Sequence, residues 1–156
     1  MGTTKRYNSC SWPGDNPLMI QYHDTEWGVP LHDDRKLFEF LLLDNAQAGL
    51  SWQTILNKRE NYRKAFDNFD PNKIARYNKR KIASLLNNSG IVRNRLKIQS
   101  VITNAQFFLD IQDEYGSFDA YIWQFVNGTV IRYQLEQPKY IRGRFIWKYG
   151  RTDETI

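Results

Sequence analysis

The run Leu37-Phe38-Glu39-Phe40-Leu41-Leu42-Leu43 places apolar side chains almost all the way round a helical period. A helix of that kind has no side to offer to water, so it must lie at the centre of a bundle. Asp33-Asp34 opens it, with acids where a helix N-terminus favours negative charge. The neighbours it needs are legible on both sides. Asp15-Asn16-Pro17 starts a helix through Leu18 to Glu26, stopped by Gly28-Val29-Pro30. Ser51 caps another from Trp52 to about Phe66, with Ile55, Leu56, Tyr62 and Phe66 inward. Asp70-Pro71 begins a short helix carrying Ile74 and Tyr77, and Ile82, Leu85 and Leu86 mark the next. After the turn Asn87-Asn88-Ser89-Gly90, the residues Leu96, Val101, Ile102, Ala105, Phe108 and Leu109 keep helical spacing. Ser117 caps a last short helix with Phe118, Tyr121, Ile122 and Phe125, closed by Asn127-Gly128. The fold class is all-α.

With 156 residues the chain is the size of one domain, read as a helical unit over 1–128 and a divergent tail over 129–156. In the tail, Val130, Ile131 and Tyr133 suggest an extended segment. Lys139 to Tyr149 interleaves bases with aromatics, which reads as a packed strand or loose terminus before a stacking tail. No apolar run approaches membrane length, and Met1 to Tyr7 has no signal-peptide character, so a cytoplasmic location is expected. One Cys excludes an internal disulfide, and Cys10, His23 and His32 together fall short of a four-ligand Cys/His zinc site.

Charge is unevenly placed. Cys10 to Asn57 sums to −5, whereas Lys58 to Lys97 carries twelve bases against three acids, or +9. Such a basic block reads as a nucleic-acid face or, more blandly, as a solvated helical surface. Asp44 ends the apolar run and needs a partner, a hydrogen bond or a proton; it either serves a site or caps or pairs within the structure. Trp12, Tyr22, Trp27 and Trp52 are core anchors or, if they converge around Asp44, a cage for a flat cationic ring. Ser89 to Arg95 joins two helices through a glycine-containing turn followed by bases, which suits phosphate contact without sequence readout or, more commonly, an αα-hairpin with no ligand.

These residues carry a resemblance. Cys10-Ser11-Trp12, Asp15 to Leu18, Tyr22 to Pro30, Gln47 to Trp52, Lys58 to Arg63, Gly90 to Ile98 and Trp123 to Gly128 are similar, in order and spacing, to bacterial 3-methyladenine DNA glycosylase I. The resemblance spans about residues 10–128. It implies a helix-hairpin-helix repair enzyme that hydrolyses the N-glycosidic bond of 3-methyladenine flipped from double-stranded alkylated DNA, acting as a monomer without a cofactor in the chemistry. By carry-over, Trp52 stacks on the base and Tyr22 lines the pocket with Trp12 and Trp27. Asp44 takes the place of the family's acid and is the candidate catalytic residue, with base recognition as its first role and general-base activation of water as its second. Leu50 sits near the duplex-intruding loop, and Gly90, Arg93, Asn94, Arg95 and Lys97 belong to the gripping hairpin. Asp110 falls near a catalytic Asp of other superfamily members, but within an exposed-looking amphipathic edge.

Three departures stand out. Asp replaces the usual Glu at 44, Asn45 stands where Gly is frequent, and the family's C-terminal portion is not recognisable after Gly128. Cys10 and His23 are one half of the family's structural zinc site, and the second His/Cys pair is absent from this sequence. The departures admit an alternative, a shortened relative that binds DNA without excising bases. A sequence-specific regulator is disfavoured, because no recognition helix or dimerisation segment is evident.

Overall fold

A computed structural model describes residues 11–130, which form helices joined by short loops, with no strand among them. The order is α1 (Pro17–Thr25), α2 (Asp34–Gln47), α3 (Trp52–Ala65), a 3-10 turn (Asp67–Phe69), α4 (Pro71–Ile74), α5 (Lys79–Leu86), α6 (Arg95–Tyr115), α7 (Phe118–Trp123) and a closing 3-10 turn (Gln124–Val126). Cys10 and the tail from Ile131 onward lie outside the described residues.

Every α-helix begins on a side-chain cap. Asn16, Asp33, Ser51, Asp70, Asn78, Asn94 and Ser117 each accept from a backbone N–H in the first turn that follows. Five of these, Asn16, Asp33, Ser51, Asp70 and Ser117, are residues the sequence marks as starts. Asp34, the second acid of its pair, has a longer reach. Its carboxylate accepts from Phe118 N at 2.9 Å, Asp119 N at 2.8 Å and Gln112 Nε2 at 2.6 Å, fastening α2 to the start of α7.

Helix α2 is central, packed against α3, α6 and α7. Phe38, Leu42, Leu43 and Ala46 are buried in a core shared with Ile55, Tyr62 and Phe66 of the α3 segment and Ile98, Val101, Ile102, Ala105 and Phe108 of α6. Phe38 meets Phe108 edge-on at 4.9 Å, and Phe108 stacks on Phe118 at 4.4 Å. The enclosure is not complete, however. Leu41 is exposed, and α2 continues to Gln47, so Asp44 lies within the helix. Leu96 also departs from the inward role its spacing suggests: it is 80% exposed at the first turn of α6. The seven-helix arrangement thereby leaves one end of α2 and the first turn of α6 side by side at the surface, as the contacts of Lys97 below make explicit.

Candidate functional site

Helix α1 and the residues flanking it gather the aromatic side chains. Trp12 stacks on Trp27 with ring centroids 5.5 Å apart, and His23 stacks on Trp27 at 5.4 Å. Tyr22 lies 6.4 Å from Trp12, 6.3 Å from Phe40 and 5.2 Å from Trp52, whose ring is tilted 54° to it. The four aromatic residues singled out in the sequence therefore converge. Trp12 and Trp27 are each 48% exposed, so they form a rim and not core anchors. Tyr22 and Trp52 form the inner part. Trp52 packs against the core, and its indole N–H is buried with no hydrogen-bond partner among the described residues. Such an orphan donor is costly, on the order of 1–3 kcal/mol, and is retained where something else repays it.

Asp44 faces this cluster from α2. The sequence suggests a buried carboxylate; the structure instead leaves the residue accessible, because Asp44 shares with Leu41 the outward face of α2 while Leu42, Leu43 and Ala46 face the core. Among the described residues it forms neither of the structural contacts considered for it, a helix cap or an Arg pair. Apolar surroundings still crowd the carboxyl enough to push its pKa up. Tyr22 is pushed up to about 12, first by burial, then by the charges of Asp44 and Glu26, against a smaller downward pull from Arg59. The phenol is therefore a neutral hydroxyl throughout the physiological range. Because the folded pKa is raised, Tyr22 contributes stability that is complete below about pH 10, its ordinary value, and fades as pH rises from there through 12. Burial also raises Tyr62 and Tyr77, so titration by tyrosinate absorbance should show several late-ionising tyrosines, and Tyr22→Phe should remove one of them. The same substitution should flatten the loss of stability above pH 10.

An ion network beneath the rings has no counterpart in the sequence reading. Glu39, 3% exposed, accepts from Arg59 Nε at 2.6 Å and Arg63 at 2.8 Å, and Arg59 also donates to Glu26 at 2.8 Å. The Arg59 guanidinium sits 5.4 Å from the centre of the Phe40 ring. Its pKa is pulled down by burial and up by the hydrogen bonds and charges of Glu26 and Glu39, with the balance upward. One residue thus ties α1, α2 and α3 together behind Tyr22. The available signal was Glu39 itself, an acid inside an apolar run, together with Arg59 and Arg63 one helical turn apart.

The hairpin formed by α5, the turn and α6 stands against α3. Val92 N donates to Tyr62 Oη at 3.1 Å, and Lys58 Nζ reaches Ser89 O at 3.4 Å and Gly90 O at 3.5 Å. A Cβ on Gly90 would lie 3.1 Å from both Cβ and Cγ of Asn61. Asn61 Cγ can rotate away, but its Cβ is fixed to α3. Gly90→Ala should therefore lower stability by about 1 kcal/mol, measured as a shift in urea midpoint, and loosen the turn. Arg93 and Arg95 are exposed and make no ion pair among the described residues, so both are available to an anionic partner. Asn94 is occupied in capping α6.

Lys97, grouped with these residues by sequence, is directed elsewhere. Its ammonium donates to Ala46 O at 2.7 Å and Ala48 O at 2.6 Å, at the end of α2. Leu50, in the loop that follows, is 40% exposed, as an intruding residue requires. The +9 block is also partly neutralised from within, since Arg59, Arg63 and Lys81 pair with acids. Asp110 is exposed on α6.

His23 Nδ1 lies 3.0 Å from Asp24 Oδ1. His32 is engaged elsewhere, stacked on Trp123 at 4.4 Å and 2.9 Å from Asp119 Oδ1. Described residues contain no group of three or more metal-ligating side chains. The soft donors of this sequence that could join His23 reduce to Cys10, and two ligands do not satisfy tetrahedral zinc. No helix among the described residues is long and apolar enough to cross a membrane.

These features define a helical hairpin protein in which an accessible carboxylate stands beside an open cluster of electron-rich rings. A model of the methyladenine glycosylase family matches residues 12–144, reaching beyond Gly128, and the chain belongs to that family. The chain is 48% identical over 118 residues to DNA-3-methyladenine glycosylase 1 of Escherichia coli, covering 76% of this chain. It spans 63% of the length of that relative. A crystal structure of 3-methyladenine DNA glycosylase I superposes with a TM-score of 0.75 at 49% identity, covering 78% of this chain and 67% of the other. A tyrosine-to-phenylalanine variant of such an enzyme, solved in complex with 3-methyladenine, matches with the same TM-score at 40% identity, covering 78% and 66%.

Proposed function

We propose that this chain hydrolyses the N-glycosidic bond of 3-methyladenine drawn out of alkylated double-stranded DNA. The observation that carries the reading is the placement of Tyr22 and Trp52, 5.2 Å apart and mutually tilted, within the field of Asp44. A flat ring can lie against one of these faces while its edge meets the other. Methylation at N3 makes the base cationic. Electron-rich rings attract such a ring over neutral adenine, and the Asp44 carboxylate adds to the preference. The relatives' names and the bound 3-methyladenine of one structural neighbour support the same substrate.

The chemistry asks little of the protein beyond extrusion and holding. The glycosidic bond breaks with its electron pair passing to the base, which leaves neutral. A water oxygen adds to the oxocarbenium-like sugar carbon and sheds a proton. No cofactor is needed for these steps. Arg93 and Arg95 contact phosphate, and Leu50 fills the space the base vacates. The protein works as a monomer, in the cytoplasm.

Incubation with methylated duplex DNA and chromatography of released bases tests this. Release of 3-methyladenine above the no-protein control is expected. Salt-sensitive duplex binding without release would favour the second reading, a relative that binds without excising, which the shorter acid at position 44 motivates.

A further inference from the structure

The end of α2 carries the acid of the pocket, Asp44, and leads into the loop of Leu50, where Gly49 at φ +78° closes a turn with Leu50 N donating to Gln47 O at 2.6 Å and leaves the carbonyls of Ala46 and Ala48 to other donors. Its final residue is followed by Ala48 at φ −41°, ψ 115°. Two of its late carbonyls are taken instead by the Lys97 ammonium from α6, at 2.7 and 2.6 Å. A cation at that place also complements the helix dipole. The contact is doubled one residue away. Asn45 Nδ2 donates to Lys97 O at 3.2 Å, and the Ser100 hydroxyl lies 3.1 Å from Asn45 Oδ1 and 2.9 Å from Lys97 O. A residue without a side-chain amide at position 45 could make neither bond.

On the other side, Lys97 N donates to Asn94 Oδ1, the cap of α6, so the tie begins within one turn of Arg93 and Arg95. We propose that Lys97, Asn45 and Ser100 form a clasp that makes the duplex-gripping hairpin and the base-receiving end of α2 one rigid unit, with Lys97 acting as a positioning residue and not as a phosphate contact. Phosphates held at Arg93 and Arg95 then fix where Asp44 and Leu50 stand relative to the flipped nucleotide. The inference rests on the glycosylase reading for its purpose but not for its geometry.

Three measurements on the full chain test it, comparing wild type, Lys97→Met, Lys97→Arg, Asn45→Ala and Arg93→Ala. The first is hydrogen exchange of the amides at 46–51 in the free protein. Lys97→Met should speed it by about tenfold, Asn45→Ala by less, and Arg93→Ala should leave it unchanged. The second is the salt dependence of duplex binding. Lys97→Met should keep the wild-type slope, whereas Arg93→Ala should lower it by about 0.9. The third is single-turnover release of 3-methyladenine. Lys97→Met should slow it by about tenfold with duplex affinity changed less than about threefold, and Lys97→Arg should recover part of the rate. A slope that falls for Lys97→Met as it does for Arg93→Ala overturns the proposal, as does unchanged exchange at 46–51. If the wild type releases no base, the glycosylase reading fails, while exchange and salt slope still decide the clasp. Should Lys97→Met not fold, Asn45→Ala supplies the exchange readout.

Discussion

Trp52→Ala is expected to slow release of 3-methyladenine by about 10- to 100-fold while leaving duplex binding and its salt dependence close to wild type. Base–aromatic stacking contributes about 1–3 kcal/mol per base, and all of it is lost when the indole is removed. The phosphate contacts proposed for Arg93 and Arg95 are elsewhere, on the hairpin, so the electrostatic part of binding is expected to survive. Trp52 also packs against the core, so thermal unfolding of the variant must be measured beside its rate. Release that persists at the wild-type rate in a folded Trp52→Ala chain would remove this residue from the pocket. Asp44→Asn gives the electrostatic counterpart. Asp44 is accessible, yet its surroundings desolvate the carboxyl enough to raise its pKa, so the folded state resists its ionisation, and that disfavoured charge is what a cationic base would offset. Preference for the methylated base over neutral adenine should fall in the variant. In the wild type the preference should fall as pH drops through the raised pKa of Asp44.

Arg59→Ala is expected to cost about 3 kcal/mol of stability, read as a lower urea midpoint with an unchanged slope. Glu39 is 3% exposed and would be left with Arg63 alone, and Glu26 would lose its ion pair. Removing one partner strands a buried charge, which costs far more than the pair itself contributes. Against a total of about 5–15 kcal/mol the loss is severe. Arg59→Lys keeps a charge but not the fork that reaches both acids, so it should fall between the two. Because Arg59 pulls the Tyr22 pKa down, Arg59→Ala should also raise the ionisation of that phenol further. A variant that leaves both midpoint and Tyr22 titration unmoved would show the network to be incidental.

Sequence and structure agree most where the forces are local. The starts at Asn16, Asp33, Ser51, Asp70 and Ser117 rest on a side chain meeting a backbone N–H two or three residues on, a geometry that any chain carrying those residues can form. The helical period of α6 is equally local, though it misplaced Leu96, since spacing alone cannot say where a helix first leaves the core. The aromatic convergence was legible as a possibility and as part of the family resemblance. Its rim-and-floor arrangement was not, because ring-to-ring distance depends on how α1 meets α2 and α3.

The amino-acid sequence by itself therefore determined an all-helical chain, its caps, its glycine hairpin and its family. Tertiary structure alone decided that Asp44 is accessible, that Arg59 pairs with Glu26 and Glu39, and that the Lys97 ammonium reaches Ala46 and Ala48. The physical reason is separation along the chain. A cap joins residues three apart, whereas Lys97 and Ala46 are 51 apart and Arg59 and Glu26 are 33 apart. A charge can choose among many such distant partners, and only the packed bundle brings one of them within hydrogen-bond reach.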